Sequence, residues 1–200
     1  MPSIDASFLG QLRDDYTRYP VFVETGTLAG DTVFAMEPLF DRLYTIEIKE
    51  EYYCSTQQRY LEAIAASVEP RKTKIQFLLG DSSSVLPDIL PQLDTNCIFF
   101  LDGHWSAGDT GKGDKDCPLM EEFAAIRDHC AHEAIIIVDD CRMFGVGPTL
   151  SDARFNLCDW EDIHLEPLLA VLQSRITQTY FLDSSFAAND RLIIHIRANA

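Results

Sequence analysis

The chain has 200 residues, of which 46% are hydrophobic and 24% charged, ordinary values for a globular protein and enough for one domain over residues 1–200. Its net charge of −16 excludes the basic face that a nucleic-acid backbone requires of its partner. No apolar run approaches the roughly 20 residues of a membrane span, so a membrane is not an expected partner either.

In chain order, MPSIDASFLGQLRDD lacks the apolar core of a secretory signal and reads as the start of a helix over 5–18. VFVE (21–24) is short and rich in β-branched and aromatic residues, hence a strand. ETGTLAGDT follows it, and Gly26 and Gly30 let the backbone turn tightly into a helix over 30–40. LYTIE (43–47) is the next strand and a helical pattern covers 50–67. IQFLL (75–79) leads into Gly80, Asp81 and Ser82 and a helix over 83–92. CIFFLD (97–102) delivers Gly103, His104 and Trp105, then the glycine-rich loop 106–116 and a helix over 117–131, whose Pro118 suits a first turn. AIIIVDD (134–140) is a continuous apolar run of the kind covered on both faces. The segment 147–162 reads as a loop or short helix over the carboxyl edge of the sheet. A helix over 163–175 precedes TQTYFL (177–182) and RLIIHI (191–196), which only a loop separates, so they form an antiparallel hairpin at one edge.

Strand–helix alternation predicts an α/β, Rossmann-like three-layer sandwich with a seven-stranded, mostly parallel sheet and that antiparallel C-terminal hairpin. The six cysteines include no CxxC and no zinc-like or disulfide-like spacing, which suits a reducing, cytoplasmic setting; Cys97, inside an apolar run, reads as core.

In open α/β sheets, ligands bind beyond the carboxyl ends of the strands, where strand order reverses. Five successive strands end there in acids or glycines: Glu24 with Thr25, Gly26, Thr27, Gly30 and Thr32; Glu47; Gly80, Asp81 and Ser82; Asp102, Gly103 and His104; Asp139 and Asp140. Glu47 follows Gly26 by 21 positions at the end of the next strand, where an acid can accept hydrogen bonds from both ribose hydroxyls. Asp102, Asp139 and Asp140 end two strands expected to be neighbours. Three converging carboxylates repel one another unless protons or a cation neutralise them, which points to a hard divalent ion, Mg²⁺ by default with Ca²⁺ and Mn²⁺ as alternatives. The other reading is that Asp139 or Asp140 caps a helix or binds a backbone amide.

The pattern ExGxxxGxT at 24–32, the acid ending the second strand, GDS at 80–82 and FLD at 100–102 resemble class I S-adenosylmethionine-dependent methyltransferases, over roughly residues 20–145. With FLDGHW and VDD the chain looks most like small-molecule, metal-dependent O-methyltransferases of the catechol type, and like a bacterial group carrying DGHxSxGxTxxGxKDxP. The resemblance implies that Gly26 and its neighbours face the methionine part of S-adenosylmethionine, that Glu47 holds the ribose, that Asp81 and Ser82 flank the adenine, and that Asp102, Asp139 and Asp140 hold the cation. Catechol-type enzymes carry a lysine shortly after the tryptophan; here Ser106 follows Trp105, and the nearest lysines are Lys112 and Lys115. The general base is therefore His104, Lys112, or none beyond the metal. The loop 106–116 is expected to cover the substrate. Trp105 either walls the substrate pocket or packs in the core, and Tyr52 and Tyr53 either touch adenine or pack.

The expected activity is O-methylation of a small hydroxylated molecule, of sugar or natural-product type, and a homodimer is compatible with it. The alternatives are an NAD(P)-dependent oxidoreductase, which the GxxxG spacing and acid-rich rim disfavour, and a non-catalytic cofactor- or metal-binding module.

Overall fold

The structure is a computed structural model that describes residues 2–67, 72–148 and 157–199. Among them the strands are β1 (Val21–Thr25), β2 (Arg42–Glu47), β3 (Ile75–Leu79), β4 (Cys97–Leu101), β5 (Ala134–Val138), β6 (Ile176–Leu182) and β7 (Arg191–Ile196). The helices are α1 (Ala6–Leu9), α2 (Asp31–Met36), α3 (Glu50–Ala65), α4 (Ser82–Ile89), α5 (Leu119–His129) and α6 (Leu165–Leu172). The strands form one sheet in the order β3-β2-β1-β4-β5-β7-β6, parallel except at β7, which runs antiparallel to both β5 and β6.

Period-two alternation assigns each central strand to two cores. Val21, Val23, Phe99, Leu101, Ile136 and Val138 pack with Leu86, Phe123, Ile126 and Leu168 of α4, α5 and α6. Phe22, Ile98, Phe100, Ile135 and Ile137 pack on the other face with Phe8, Val33, Met36 and Tyr60 of α1, α2 and α3. Every residue of β1, β4 and β5 is buried, as expected of strands covered on both sides.

The expected helix over 5–18 is replaced by α1 and a 3₁₀ turn at Tyr16–Arg18. Asp14 accepts from the Asp15 amide and Asp15 from the Thr17 amide. Such local side-chain bonds compete with the helical ladder and break it. The helix over 30–40 likewise ends at Met36 and continues as a 3₁₀ turn. Much of the segment 147–162 lies outside the described residues. Among the described residues, no helix is long and apolar enough to cross a membrane.

Strand order reverses between β1 and β4, so the crevice between their carboxyl ends is where a ligand site is expected.

Candidate active site

A cleft opens at this reversal point, enclosing about 730 Å³ with its mouth included. Gly26, Glu47, Gly80, Asp81, Ser82, Asp102 and His104 line it, together with Leu28, Ile48, Tyr52, Gly103 and Trp105.

Gly26 makes the crossing of β1 and β4 close. Its φ is +83°, and a side-chain Cβ there would sit 2.2 Å from the Asp102 carbonyl oxygen. Thr25 is buried beneath, its Oγ1 accepting from the Asp102 amide at 3.2 Å. Glu47 is held rigidly at the end of β2. Its Oε2 accepts from the Leu28 amide and its Oε1 from the Lys49 amide, both at 2.8 Å. A carboxylate oriented in this way by two backbone donors keeps its remaining lone pairs for a ligand's hydroxyls. Asp81 caps α4 through Oδ1, which accepts from the amide and the hydroxyl of Ser83.

Other predicted residues serve the frame around the cleft. Glu24 is 1% exposed, and burial pushes its carboxyl well above the usual range. Its Oε2 lies 2.6 Å from Thr45 Oγ1, which in turn shares a 2.6 Å hydrogen bond with Thr27 Oγ1. Gly30 begins α2 against Thr56, and Thr32 Oγ1 accepts from the Ser3 amide. Lys112 is turned to Asp116 at 2.7 Å and over the Trp105 ring at 4.1 Å, and it does not line the cleft.

At the other end, His104 bridges two acids. Nε2 lies 3.1 Å from Asp140 Oδ2 and Nδ1 lies 3.5 Å from Asp102 Oδ1. Asp140 reaches it from a left-handed backbone conformation, φ +60°, which aspartate tolerates better than most residues and which often marks a functional site. Burial works against charge on His104 more than any other single effect. The hydrogen bond to Asp140 and the fields of Asp102, Asp140 and Asp139 outweigh it, so the imidazole pKa is raised. Burial, reinforced by the fields of Asp139 and Asp140 and opposed by His104 and Arg191, pushes the Asp102 carboxyl up to about 8. Trp160, fully buried, meets the His104 ring edge-on with centroids 4.8 Å apart.

The remaining acids of this end are balanced by arginines. Arg191, the first residue of β7, donates from Nε to Asp139 at 3.0 Å and from an Nη to the Ser3 carbonyl. Arg142 lies 2.6 Å from Asp140 and also pairs with Asp190. Asp139 Oδ1 in addition accepts from the Asp140 amide. The repulsion that suggested a metal is thus relieved by Arg142, Arg191 and His104. As donors to a cation, two sets have ligand atoms within 4.8 Å of one another among the described residues: Asp102, His104 and Asp140, and Asp139, Asp140 and Asp190. The first combines carboxylates with an imidazole, a mixed set suited to Mn²⁺ as much as to Mg²⁺.

The loop 106–116 does close the cleft, but over its Glu47–Asp81 end. A Cβ on Gly111 would lie 2.3 Å from Ile48 Cγ2, and one on Gly113 would lie 2.2 Å from Asp81 Oδ2, so only glycine permits this approach. Lys49 clasps the loop through the carbonyl and carboxylate of Asp109 at 2.7 and 2.5 Å, and Tyr52 donates to the same carboxylate at 3.2 Å. Tyr52 therefore lines the cleft, whereas Tyr53 packs on the core. Trp105 does both, lining the cleft and packing against the core beneath.

Reading by strand ends missed Arg191, Asp190 and Arg142. The available signal was a charged pair, Asp190–Arg191, opening the otherwise apolar run of the last strand. It also missed Asp109 and Lys49, for which spacing carries no signal.

No family model and no curated protein matches the sequence. Solved structures do match its fold. An rRNA methylase from Streptococcus thermophilus is 14% identical, with 91% of this chain and 89% of that chain covered and a TM-score of 0.50. A Staphylococcus aureus protein described as a candidate caffeoyl-CoA O-methyltransferase is 14% identical, with 91% and 78% covered and a TM-score of 0.56. A Podospora anserina methyltransferase solved with SAH bound is 16% identical, with 90% and 72% covered and a TM-score of 0.53. The architecture is the Rossmann-like fold of these methyltransferases.

Proposed function

We propose that the chain is an S-adenosylmethionine-dependent methyltransferase that acts on a hydroxyl of a small molecule. The observation that carries this reading is the polarity of the cleft: Glu47, held by two backbone amides, stands at one end, and the buried Asp102–His104–Asp140 group at the other. The first end suits a ribose diol; the second suits proton removal from an attacking hydroxyl. When bound, S-adenosylmethionine supplies an electrophilic methyl group for in-line displacement by the acceptor oxygen.

The chain's own residues then have distinct tasks. Glu47 accepts from the ribose, and Asp81 and Ser82 flank the base. The loop 106–116, clasped by Lys49 and Tyr52, excludes water from that end. Asp102 and Asp140 orient the His104 ring, and Nδ1 or Nε2, whichever is free of its proton, takes the acceptor's hydrogen. Holding the partners in attack geometry supplies much of the acceleration. The sheet, the acid-ended strands and the methyltransferase neighbours favour this over a nicotinamide enzyme.

A second reading adds a divalent cation. The closeness of the Asp102, His104 and Asp140 ligand atoms supports it. These residues would hold the ion, which would lower the acceptor hydroxyl's pKa.

Titration calorimetry with S-adenosylmethionine, with Mg²⁺ or Mn²⁺ and again with EDTA, tests both readings. Micromolar binding in EDTA supports the cofactor assignment, and a further gain with metal supports the cation. Absence of binding in every condition sinks the methyltransferase reading.

A further inference from the structure

Tyr52 and Tyr53 stand side by side in the first turn of α3, yet their surroundings differ. Tyr53 packs against the core formed with α1, α2 and α3. Among the described residues, Tyr52 joins neither core. It is half-buried and lines the cleft. Its hydroxyl donates to Asp109 Oδ2 at 3.2 Å, and Lys49 Nζ lies 4.9 Å from its ring centroid. These contacts fix the ring without burying it. A large aromatic surface held open in this way does little for folding and is available to a ligand at low ordering cost.

The position of the ring says which part of a ligand it meets. Glu47, Ile48, Tyr52, Gly80 and Asp81 line one end of the cleft. With Glu47 on a ribose, the attached base occupies this end. Asp81 has one oxygen committed to Ser83, which leaves the other for the polar edge of a base. The flat faces of a base require apolar surface. Ile48 is already pressed by the loop at Gly111, so the open aromatic surface at this end is Tyr52.

We propose that Tyr52 is a base-binding residue, its ring forming the wall on which the purine of the bound cofactor stacks. The inference rests on the adenosyl reading of this cleft and adds to it the side chain that carries the face of the base. Stacking uses the π-face that every base has, so Tyr52 supplies affinity and leaves the choice of base to the polar edge. The bond from its hydroxyl to Asp109 is a separate task, holding the loop.

The test is calorimetry of S-adenosylhomocysteine on the full chain, for wild type, Tyr52→Ala and Tyr52→Phe, each with a thermal melt. Tyr52→Ala should weaken binding about tenfold or more, as truncation of an aromatic partner of a base does. Tyr52→Phe keeps the ring and gives up the bond to Asp109, so it should recover all but about threefold of that loss. Intermolecular NOEs between the Tyr52 ring and the base protons are expected in the wild-type complex, and they carry the test if the alanine variant folds poorly. Equal weakening in both variants would assign the effect to the hydroxyl's hold on the loop and overturns the inference. Unchanged binding in both, or a wild-type complex without those NOEs, overturns it too. Each of these results leaves the methyltransferase reading standing, because wild type still binds S-adenosylhomocysteine. Failure of wild type to bind that ligand overturns the reading, and the inference with it.

Discussion

Glu47 and Asp139 are both acids at the ends of strands, on the same rim, 5% and 6% exposed. Glu47 is held by backbone amides from the turn after β1 and from its own strand end. Asp139 is held by a guanidinium that arrives on β7. The contrast extends along the rim. The β1–β3 half fixes its acids with neutral donors. The β4–β5–β7 half balances its acids with Arg142, Arg191 and His104. A carboxylate held by amides is a ready acceptor for hydroxyls. One shared with a histidine between two acids is a place to hold or move a proton. Under the proposed function, binding and proton handling are thereby separated along one edge of one sheet.

The largest expected effect tests that separation directly. His104→Gln should lower kcat by about 10²–10⁴-fold and leave the S-adenosylhomocysteine Kd within about threefold. Steady-state kinetics and calorimetry check it, and equal losses in both quantities would erase the division. Arg191→Met should cost about 3–5 kcal/mol of stability in urea unfolding, because it strands Asp139 as a buried charge. Adding Asp139→Asn should recover much of that loss; no recovery would mean that Arg191 acts mainly through Ser3 and its packing over Phe8.

Glu122 lies fully buried beneath the rim, with the Ser82 and Thr25 hydroxyls as its polar neighbours. Burial, with the field of Asp81 adding and Ser82, Thr25 and His104 opposing, pushes its pKa up to about 7 from an ordinary 4.5. A raised native pKa means that the folded chain holds the proton more tightly than the unfolded one. The group is therefore harmless below the unfolded value, and stability is lost as pH rises through the folded one. Glu122→Gln should gain on wild type across that interval, by at most about 3 kcal/mol, and then level off. Urea unfolding at a series of pH values checks it, and a pH-independent difference would contradict it.

Smaller effects lie on the binding half. Glu47→Gln should weaken S-adenosylhomocysteine by about 10–100-fold and cost about 1–3 kcal/mol of stability, since Leu28 and Lys49 bond different carboxylate oxygens and glutamine offers only one. A stability loss as large as that of Arg191→Met would show that both halves depend on their charges for folding alike. Asp109→Ala releases an exposed, solvent-screened clasp, so it should speed ligand dissociation only a few-fold. Trp105, beneath the loop, is a fluorescence reporter for that rate in stopped flow, and an unchanged rate would remove the loop from gating.

Much of this arrangement was legible in the sequence. Continuous apolar runs marked β4 and β5, and the short connection 183–190 marked the β6–β7 hairpin. The acids and glycines after successive strands located the rim, because a parallel sheet brings all those ends to one side. Helix boundaries were less legible where Asp14, Asp15 and Thr17 bond locally, since that competition depends on side-chain geometry rather than on periodicity. The loop 106–116 could be recognised as a cover, but its landing place on Ile48 and Asp81 follows from the positions of Gly111 and Gly113 in space.

The sequence by itself determined the sheet, its hairpin and which edge gathers the acids and glycines, because periodicity and strand-end composition are local properties. Only the tertiary structure decided how each acid is neutralised. Arg191 and Asp190 stand some fifty positions after Asp139 and reach it because β7 returns antiparallel beside β5. The surroundings of Glu122 have the same kind of origin: its neighbours Ser82, Thr25 and Gly103 come from three other segments. Charge balance is a sum over groups brought together through space, and spacing along the chain does not carry it.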